Sequence, residues 1–267
     1  MVIDLRQGFG DFPEYKLFKF PDGSIKFELK KKMIEGNSII IKATLRNSDD
    51  ILALAMIKDV ADRQECYCVL DIDYMMYQQD DRRFSEFESF GLKVIANFIN
   101  SLNFKVVRIF HPHSDKVEMI NTCKIIDNGK FLRWTLRDDK FKEALWIIPD
   151  AGAFKTQYKQ ASEFEFGTVT CGKVRDHKTG ELTTRVHMED FQGKDCFIVD
   201  DICLGGATFI NIAKELKVKN CGRLYLIISH GVFNKGIDHL LEYFDTIYTT
   251  DSICTLPESD KLKIYKL

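Results

Sequence analysis

Apolar and polar positions along the chain alternate first with the period of strands and then with that of helices. "YKLFKF", "SIKFELKK" and "SIIIKATL" read as strands, the first two separated by Pro21, Asp22 and Gly23. "DDILALAMIKDVADRQ" has apolar residues at helical spacing, and Asp49 and Asp50 suit its positive N-terminal end. "CYCVLDIDYM" predicts another strand, followed by the polar "YQQDDRR" and a long helical pattern, "FESFGLKVIANFINSLN". "FKVVRIF" is again a strand and ends at "HPHSD". The second half keeps the rhythm. "ALWIIPDAG" is strand then turn, "AFKTQYKQASEF" helix, and "FEFGTVTCGKVRD" a strand entering a polar stretch. After it come "DCFIVDD", "GATFINIAKELKVKN", "GRLYLIISHG", "KGIDHLLEYF" and "DTIYTTDS". Strands alternating with helices predict an α/β fold with right-handed crossovers and mainly parallel sheets flanked by helices. Ligands of such folds sit beyond the carboxyl ends of strands, so "HPHSD", "PDAG", "DDICLGGAT", "SHG" and "TTDS" hold the candidate chemistry.

Bulk numbers narrow the class without changing that picture. The 267 residues are 45% hydrophobic and 29% charged, the make-up of a soluble globular protein of one large or two ordinary domains. A formal net charge of -2 gives no general argument for nucleic acid or for an anionic membrane. The N-terminus "MVIDLRQGFGDF" lacks the apolar core of a signal peptide, and no apolar run approaches the roughly 20 residues that span a bilayer. The eight cysteines are scattered, several inside strand-like runs, and Cys66 and Cys68 would face opposite sides of one strand. They are read as reduced core thiols of a cytoplasmic protein rather than as disulfides or zinc ligands.

The most specific stretch is "CFIVDDICLGGATFINIAKELK", which sets two adjacent carboxylates before a glycine turn and a helix. Gly205 and Gly206 allow positive φ and close backbone approach, and the helix aims free N–H groups at the turn. Asp200 and Asp201 suit the two hydroxyls of a ribose whose phosphate lies in that cradle. The plainer alternative is a βα turn with a carboxylate cap.

This stretch resembles the ribose-phosphate binding signature of type I phosphoribosyltransferases and of ribose-phosphate diphosphokinases, the phosphoribosyl pyrophosphate synthetases. Further pieces in the same order resemble the latter family. "FPDGSIKFEL" is similar to its phenylalanine-x-aspartate-glycine-glutamate segment, and "YMMYQQDDRR" to its tyrosine-alanine-arginine-glutamine-aspartate-arginine segment. "HPHSDKVE", "IPDAGAFK", "GKVRD", "SHGVF" and "TTDS" follow where that family has its histidine turn, proline-aspartate-x-glycine turn, catalytic-loop lysine-x-arginine, threonine-histidine-glycine segment and late aspartate-threonine strand end.

The resemblance implies two phosphoribosyltransferase-like domains, 1–141 on the ATP side and 142–267 on the ribose-phosphate side. The tail "KLKIYKL" reads as a final edge strand, which the resemblance allows to return to the first domain. It implies transfer of the β,γ-diphosphate of ATP to the anomeric hydroxyl of ribose 5-phosphate, with Mg²⁺ as cofactor, a role in nucleotide biosynthesis and a homo-oligomer, dimer or hexamer. Lys173 and Arg175 become the catalytic cations on a flap that closes over the triphosphate. Asp200, Asp201, Gly205, Gly206, Ala207 and Thr208 become the ribose-phosphate site. Phe20, Asp22, Ser24, Gln79, Asp80, Asp81, Arg82 and His113 become the ATP site, and His113 and Asp150 the metal ligands. His111 and His113 have a spacing that would serve zinc only with further ligands, which the sequence does not supply. His230 is open between phosphate contact and strand-end structure.

Departures from the family pattern are informative. Leu204 and Gly205 stand where the phosphate loop has an aspartate and a threonine, Gln79 and Asp80 where the adenine segment has arginine and glutamine, and Ser24 where it has glutamate. The loss of a hydroxyl donor at the turn motivates a second acceptor, ADP-ribose, whose 1-diphosphate would serve NAD resynthesis. A non-catalytic nucleotide-binding homologue and a phosphoribosyltransferase are the remaining readings. The first is opposed by the retention of Lys173, Arg175, Asp200 and Asp201, and the second by a first half that a transferase does not need.

Overall fold

The computed structural model describes residues 1–32, 36–175 and 182–267, and the side chains of 173–175 and 182–184 lie outside that description. Two compact units divide the chain, Met1–Asp127 and Asn128–Leu267.

The first unit runs β1 (Val2–Asp4), β2 (Gly10–Asp11), β3 (Tyr15–Lys19), β4 (Ile25–Leu29), β5 (Ser38–Leu45), α1 (Ser48–Arg63), β6 (Tyr67–Met75), α2 (Gly91–Ser101), β7 (Val106–Phe110) and β8 (Cys123–Ile126). Five strands form a parallel sheet in the order β1-β5-β6-β7-β8, while β2, β3 and β4 form a small antiparallel sheet. The start of α1 is a capping box. Asn47 Oδ1 accepts the Asp50 N–H at 3.1 Å and Asp50 Oδ2 accepts the Asn47 N–H at 3.3 Å, which satisfies donors that a helix start leaves open. Ala53, Leu54, Ile57 and Ala61 recur at helical spacing and join Ile39, Ile41, Leu70 and Ile72 in one core.

The second unit runs α3 (Gly129–Leu136), β9 (Leu145–Ile148), α4 (Phe154–Glu163), β10 (Thr168–Arg175), β11 (Leu182–Val186), β12 (Cys196–Cys203), α5 (Ala207–Val218), β13 (Leu224–Gly231), α6 (Asp238–Leu241), β14 (Thr246–Thr250) and β15 (Leu262–Tyr265). Its sheet has the order β11-β10-β9-β12-β13-β14-β15 and is parallel except for the β10–β11 hairpin. β13 is buried along its whole length, as a central parallel strand covered on both faces must be. Alternation along β12 assigns Ile198 to a core shared with Phe209 and Ile212 of α5, and Phe197 and Val199 to a core shared with Phe131 and Leu132 of α3. Both units are therefore α/β with mainly parallel sheets flanked by helices.

Two organisational expectations change. The units divide at Asp127/Asn128 rather than at 141/142, because Phe131 and Leu132 pack with Phe141, Trp146 and Phe197. The last strand does not return to the first domain. β15 pairs in parallel with β14, from Ile247↔Leu262 to Thr250↔Tyr265, and buries Leu262 and Ile264 in the second unit. The N–H of Ile264 is satisfied by Glu258 Oε1 at 2.9 Å. All eight cysteines are free. Burial pushes the thiols of Cys171, Cys196 and Cys203 up to about 12, so they stay protonated and unreactive at neutral pH. Among the described residues no helix is long and apolar enough to cross a membrane.

Candidate active site

In the second unit, β12 delivers Asp200 and Asp201 to its carboxyl end, where both are half-buried. The Asp201 N–H donates to Asp200 Oδ1 at 3.0 Å and the Ile202 N–H to Asp201 Oδ1 at 2.8 Å. Those bonds do not neutralise the pair. Burial pushes the Asp200 carboxyl well above the usual carboxylate range, and the Asp201 and Asp150 anions push it further, against the opposing Asp201 N–H. Such crowding is a cost to the free protein that hydroxyl donors or a cation would relieve.

The chain then turns through Leu204, Gly205 and Gly206 into α5. Gly206 has φ 77°, and a Cβ there would stand 2.5 Å from Leu240 Cδ2, so backbone angle and packing both demand glycine. α5 has no side-chain cap and no acidic residue in its first turn. Its leading N–H groups therefore face outward without an intramolecular anion, beside the exposed Ala207 and Thr208. Chemically, an uncapped helix start of this kind can accept an anion, and here it stands next to a carboxylate pair.

Gln157, absent from the sequence-derived site, supports that strand end. β9 pairs with β12 from Leu145↔Cys196 as far as Ile147↔Ile198, so the pairing stops before Val199 of β12. Gln157 Nε2 donates to the Val199 carbonyl at 2.8 Å, while Gln157 Oε1 accepts Trp146 Nε1–H at 3.1 Å. Replacing Gln157 by Met should orphan a buried donor and a buried acceptor, each worth ~1–3 kcal/mol when unpaired. Urea unfolding should show a correspondingly lower midpoint with an unchanged slope, and an unaltered midpoint would contradict this role. A polar residue on the buried face of α4, one turn before Ala161, was the readable signal.

In the first unit, Gln79, Asp80, Asp81, Arg82 and His113 line one cavity of about 390 Å³, joined by Phe84, which is 86% exposed. Asp81 is buried there. Its hydrogen bond from Arg82 lowers its pKa to about 2 against the effect of burial, with help from Ser114 and Lys116. Arg82 Nε lies 2.8 Å from Asp81 Oδ1, so the carboxylate holds the guanidinium at the cavity. Asp80 works for the fold: its Oδ2 accepts the Gly91 N–H at 2.8 Å and so begins α2. Gln78, which sequence reading did not select, is buried and accepts the His113 N–H at 3.1 Å, setting the histidine turn.

Phe20, Asp22 and Ser24 do not line this cavity. They form the exposed β3–β4 turn, where Asp22 Oδ1 accepts the Ser24 N–H at 2.9 Å and its hydroxyl at 2.6 Å. The two expected metal ligands fall in different units, His113 in the first and Asp150 in the second. Asp150 Oδ1 accepts the Gly152 and Ala153 N–H groups at 2.9 and 3.1 Å, ahead of α4. Among the described residues no group of three or more His, Cys, Asp and Glu side chains is arranged to hold a metal ion. His230 is buried, with Nδ1 2.9 Å from Ser252 Oγ, a structural place rather than a surface phosphate contact. Lys173 and Arg175 lie on β10, paired with Thr184 and Leu182 of β11, and their side chains fall outside the described residues, as do residues 176–181 of the expected flap.

No protein-family model matches the chain. Curated relatives do. A ribose-phosphate pyrophosphokinase from Pyrococcus furiosus is 26% identical over 242 residues, covering 89% of this chain and 85% of that one. Ribose-phosphate pyrophosphokinase 2 from Archaeoglobus fulgidus is 28% identical over 237 residues, covering 84% and 81%. The crystal structure of phosphoribosylpyrophosphate synthetase from Mycobacterium smegmatis superposes with a TM-score of 0.82 over 94% of this chain and 85% of that one, at 14% identity. The chain is a divergent relative of the ribose-phosphate pyrophosphokinases. The fold likeness extends over both units, which accounts for a first half that the carboxylate-and-glycine stretch alone leaves unexplained.

Proposed function

We propose that the chain transfers the β,γ-diphosphoryl group of ATP to the anomeric hydroxyl of a ribose 5-phosphate moiety and releases AMP. The observation that carries this reading is the carboxylate pair near the end of β12, with Asp200 raised in pKa by burial and like charge, shortly before a glycine turn and an uncapped helix. In the reaction the anomeric oxygen bonds to the β-phosphorus, the bond from that phosphorus to the α,β-bridging oxygen breaks, and the bridging oxygen leaves with AMP. The proton of the anomeric hydroxyl passes to solvent. Asp200 and Asp201 accept the 2- and 3-hydroxyls, which fixes the ring. The N–H groups and hydroxyl at 206–208 hold the 5-phosphate. Arg82, held by Asp81, and His113 serve the nucleotide. Lys173 and Arg175 neutralise charge on the moving group, and positioning plus such electrostatic help is most of what phosphoryl-type transfer requires.

Mg²⁺ fits this donor set. It is a hard cation that takes carboxylate oxygens, keeps several waters and relies on substrate phosphates rather than on a closed protein cage. Asp150, whose anion already raises the Asp200 carboxyl, is the candidate oxygen donor in the second unit. When bound, Mg²⁺ supplies charge neutralisation on the triphosphate.

Free ribose 5-phosphate is the first acceptor, supported by the names of the relatives. ADP-ribose is the second, favoured by Gly205, which removes a hydroxyl donor from the phosphate turn, and by Leu204, which sets an apolar side chain beside it that is 43% exposed. Incubation with Mg-ATP and each acceptor, with AMP resolved by chromatography, tests the proposal. AMP formation dependent on one of the two acceptors is expected, and none with either would refute the transferase reading.

A further inference from the structure

The segment after β13 carries a cation that none of the sequence motifs selected. Residues 233–239 fold back over the glycine turn. The Phe233 N–H donates to the Cys203 carbonyl at 3.2 Å and the Asn234 N–H to the Leu204 carbonyl at 3.1 Å. His239 Nε2 lies 3.0 Å from the Gly205 carbonyl, which can only accept, so that nitrogen carries the proton. The turn is thereby tied down from the outside. On it lies the stem of Lys235: a Cβ at Gly205 would stand 3.6 Å from both Cδ and Cε of this lysine. Lys235 is exposed, and no hydrogen bond or ion pair joins it to a described residue.

The lysine stem thus lies on the glycine turn while its ammonium stays free in solvent, within a flexible side chain's reach of an anion bound there. We propose that Lys235 is a specificity-determining residue of the acceptor site, placed to hold a second phosphate attached to the 5-phosphate seated at 205–208. This role rests on the acceptor-site reading given above. Three features of the turn agree on a diphosphate-linked acceptor. A terminal 5-phosphate offers three free oxygens and two charges, whereas the same phosphate inside a diphosphate offers two oxygens and one charge. Gly205, which has no hydroxyl, suits the smaller demand. The next phosphate then requires a cation outside the backbone cradle, and lysine is a flexible point charge suited to phosphate. Leu204 provides an exposed apolar surface for whatever that second phosphate carries.

Calorimetric titration of the full chain with ADP-ribose and with ribose 5-phosphate tests the role, using Lys235→Ala, Lys235→Arg and, as a remote charge control in the last turn of α5, Lys217→Ala. Lys235→Ala is expected to weaken ADP-ribose about tenfold, the lower end of what a hydrogen bond to a charged group is worth, and ribose 5-phosphate much less. Lys235→Arg should restore most of the loss, and Lys217→Ala should change neither acceptor. Equal weakening of both acceptors, or no weakening of ADP-ribose, would overturn the specificity role while leaving the transferase reading in place. If the unaltered protein bound neither acceptor, the acceptor site itself would fall and this role with it.

Discussion

Replacing Asp200 by Asn is expected to raise the thermal stability of the free protein and, in the same molecule, to remove most of its acceptor affinity. The carboxyl is half-buried beside Asp201 and under the influence of Asp150, and its folded-state pKa is raised. The sign of the pH effect follows from linkage. Below the unfolded value of about 3.9 both states hold the proton and the site costs nothing. As pH rises from there to the raised folded value, the unfolded state ionises first and stability falls; above the folded value the cost stays constant. The melting temperature of the unaltered protein should therefore decline across that window, while Asp200→Asn should not share this decline. At neutral pH the variant should melt higher, by about 2–4 °C for each ~1 kcal/mol of relief in a chain of this size. Its KM for the acceptor should rise roughly 10- to 100-fold, since a hydrogen bond to a charged group is worth ~1.5–3 kcal/mol. A variant that is both less stable and fully active would mean that Asp200 serves packing and not ribose.

The other large effect is expected on turnover. Lys173→Ala and Arg175→Ala should each lower kcat by about 10²–10³, the loss typical when one donor that stabilises developing charge is removed. Acceptor KM should stay within a factor of a few, because uniform binding is not what these cations contribute. Melting curves should match the unaltered protein. Single-turnover measurement of AMP release separates the two parameters. Release that persists unchanged in both variants would remove the β10–β11 segment from the chemistry.

How much of this was legible in the chain depends on range. Strand and helix periodicity is local, so the α/β order of both units could be read directly, including the Asp49–Asp50 start of α1 and the strand that carries Asp200 and Asp201. The carboxylate-and-glycine turn was visible for the same reason, its parts being contiguous. Contacts made across the fold were not. The tail reads equally well as an edge strand of either unit, and only the pairing of Ile247 with Leu262 selects the second. The unit boundary moved to 127/128 because the amphipathic signal of α3 is only a few residues long, whereas the packing of Phe131 on Phe141 and Tyr265 is tertiary. Asp80 reads as a nucleotide ligand by its place in a motif and lines the cavity, while its second task, accepting the Gly91 N–H that begins α2 eleven residues later in the chain, has no local signature. Lys235 stands two residues beyond "SHGVF" and had no local signature, and its bearing on Gly205 exists only once β12 and β13 lie side by side.

The central claim is that the two outer phosphates of ATP move as one unit to an anomeric oxygen. The most direct test supplies ATP labelled at the β-phosphorus with an acceptor and Mg²⁺, and follows the label and the adenylate together. The account predicts that the label appears in an acid-labile acceptor 1-diphosphate in one-to-one ratio with AMP. Formation of ADP with the β-label retained in the nucleotide would show γ-phosphoryl transfer or hydrolysis instead, and would contradict it.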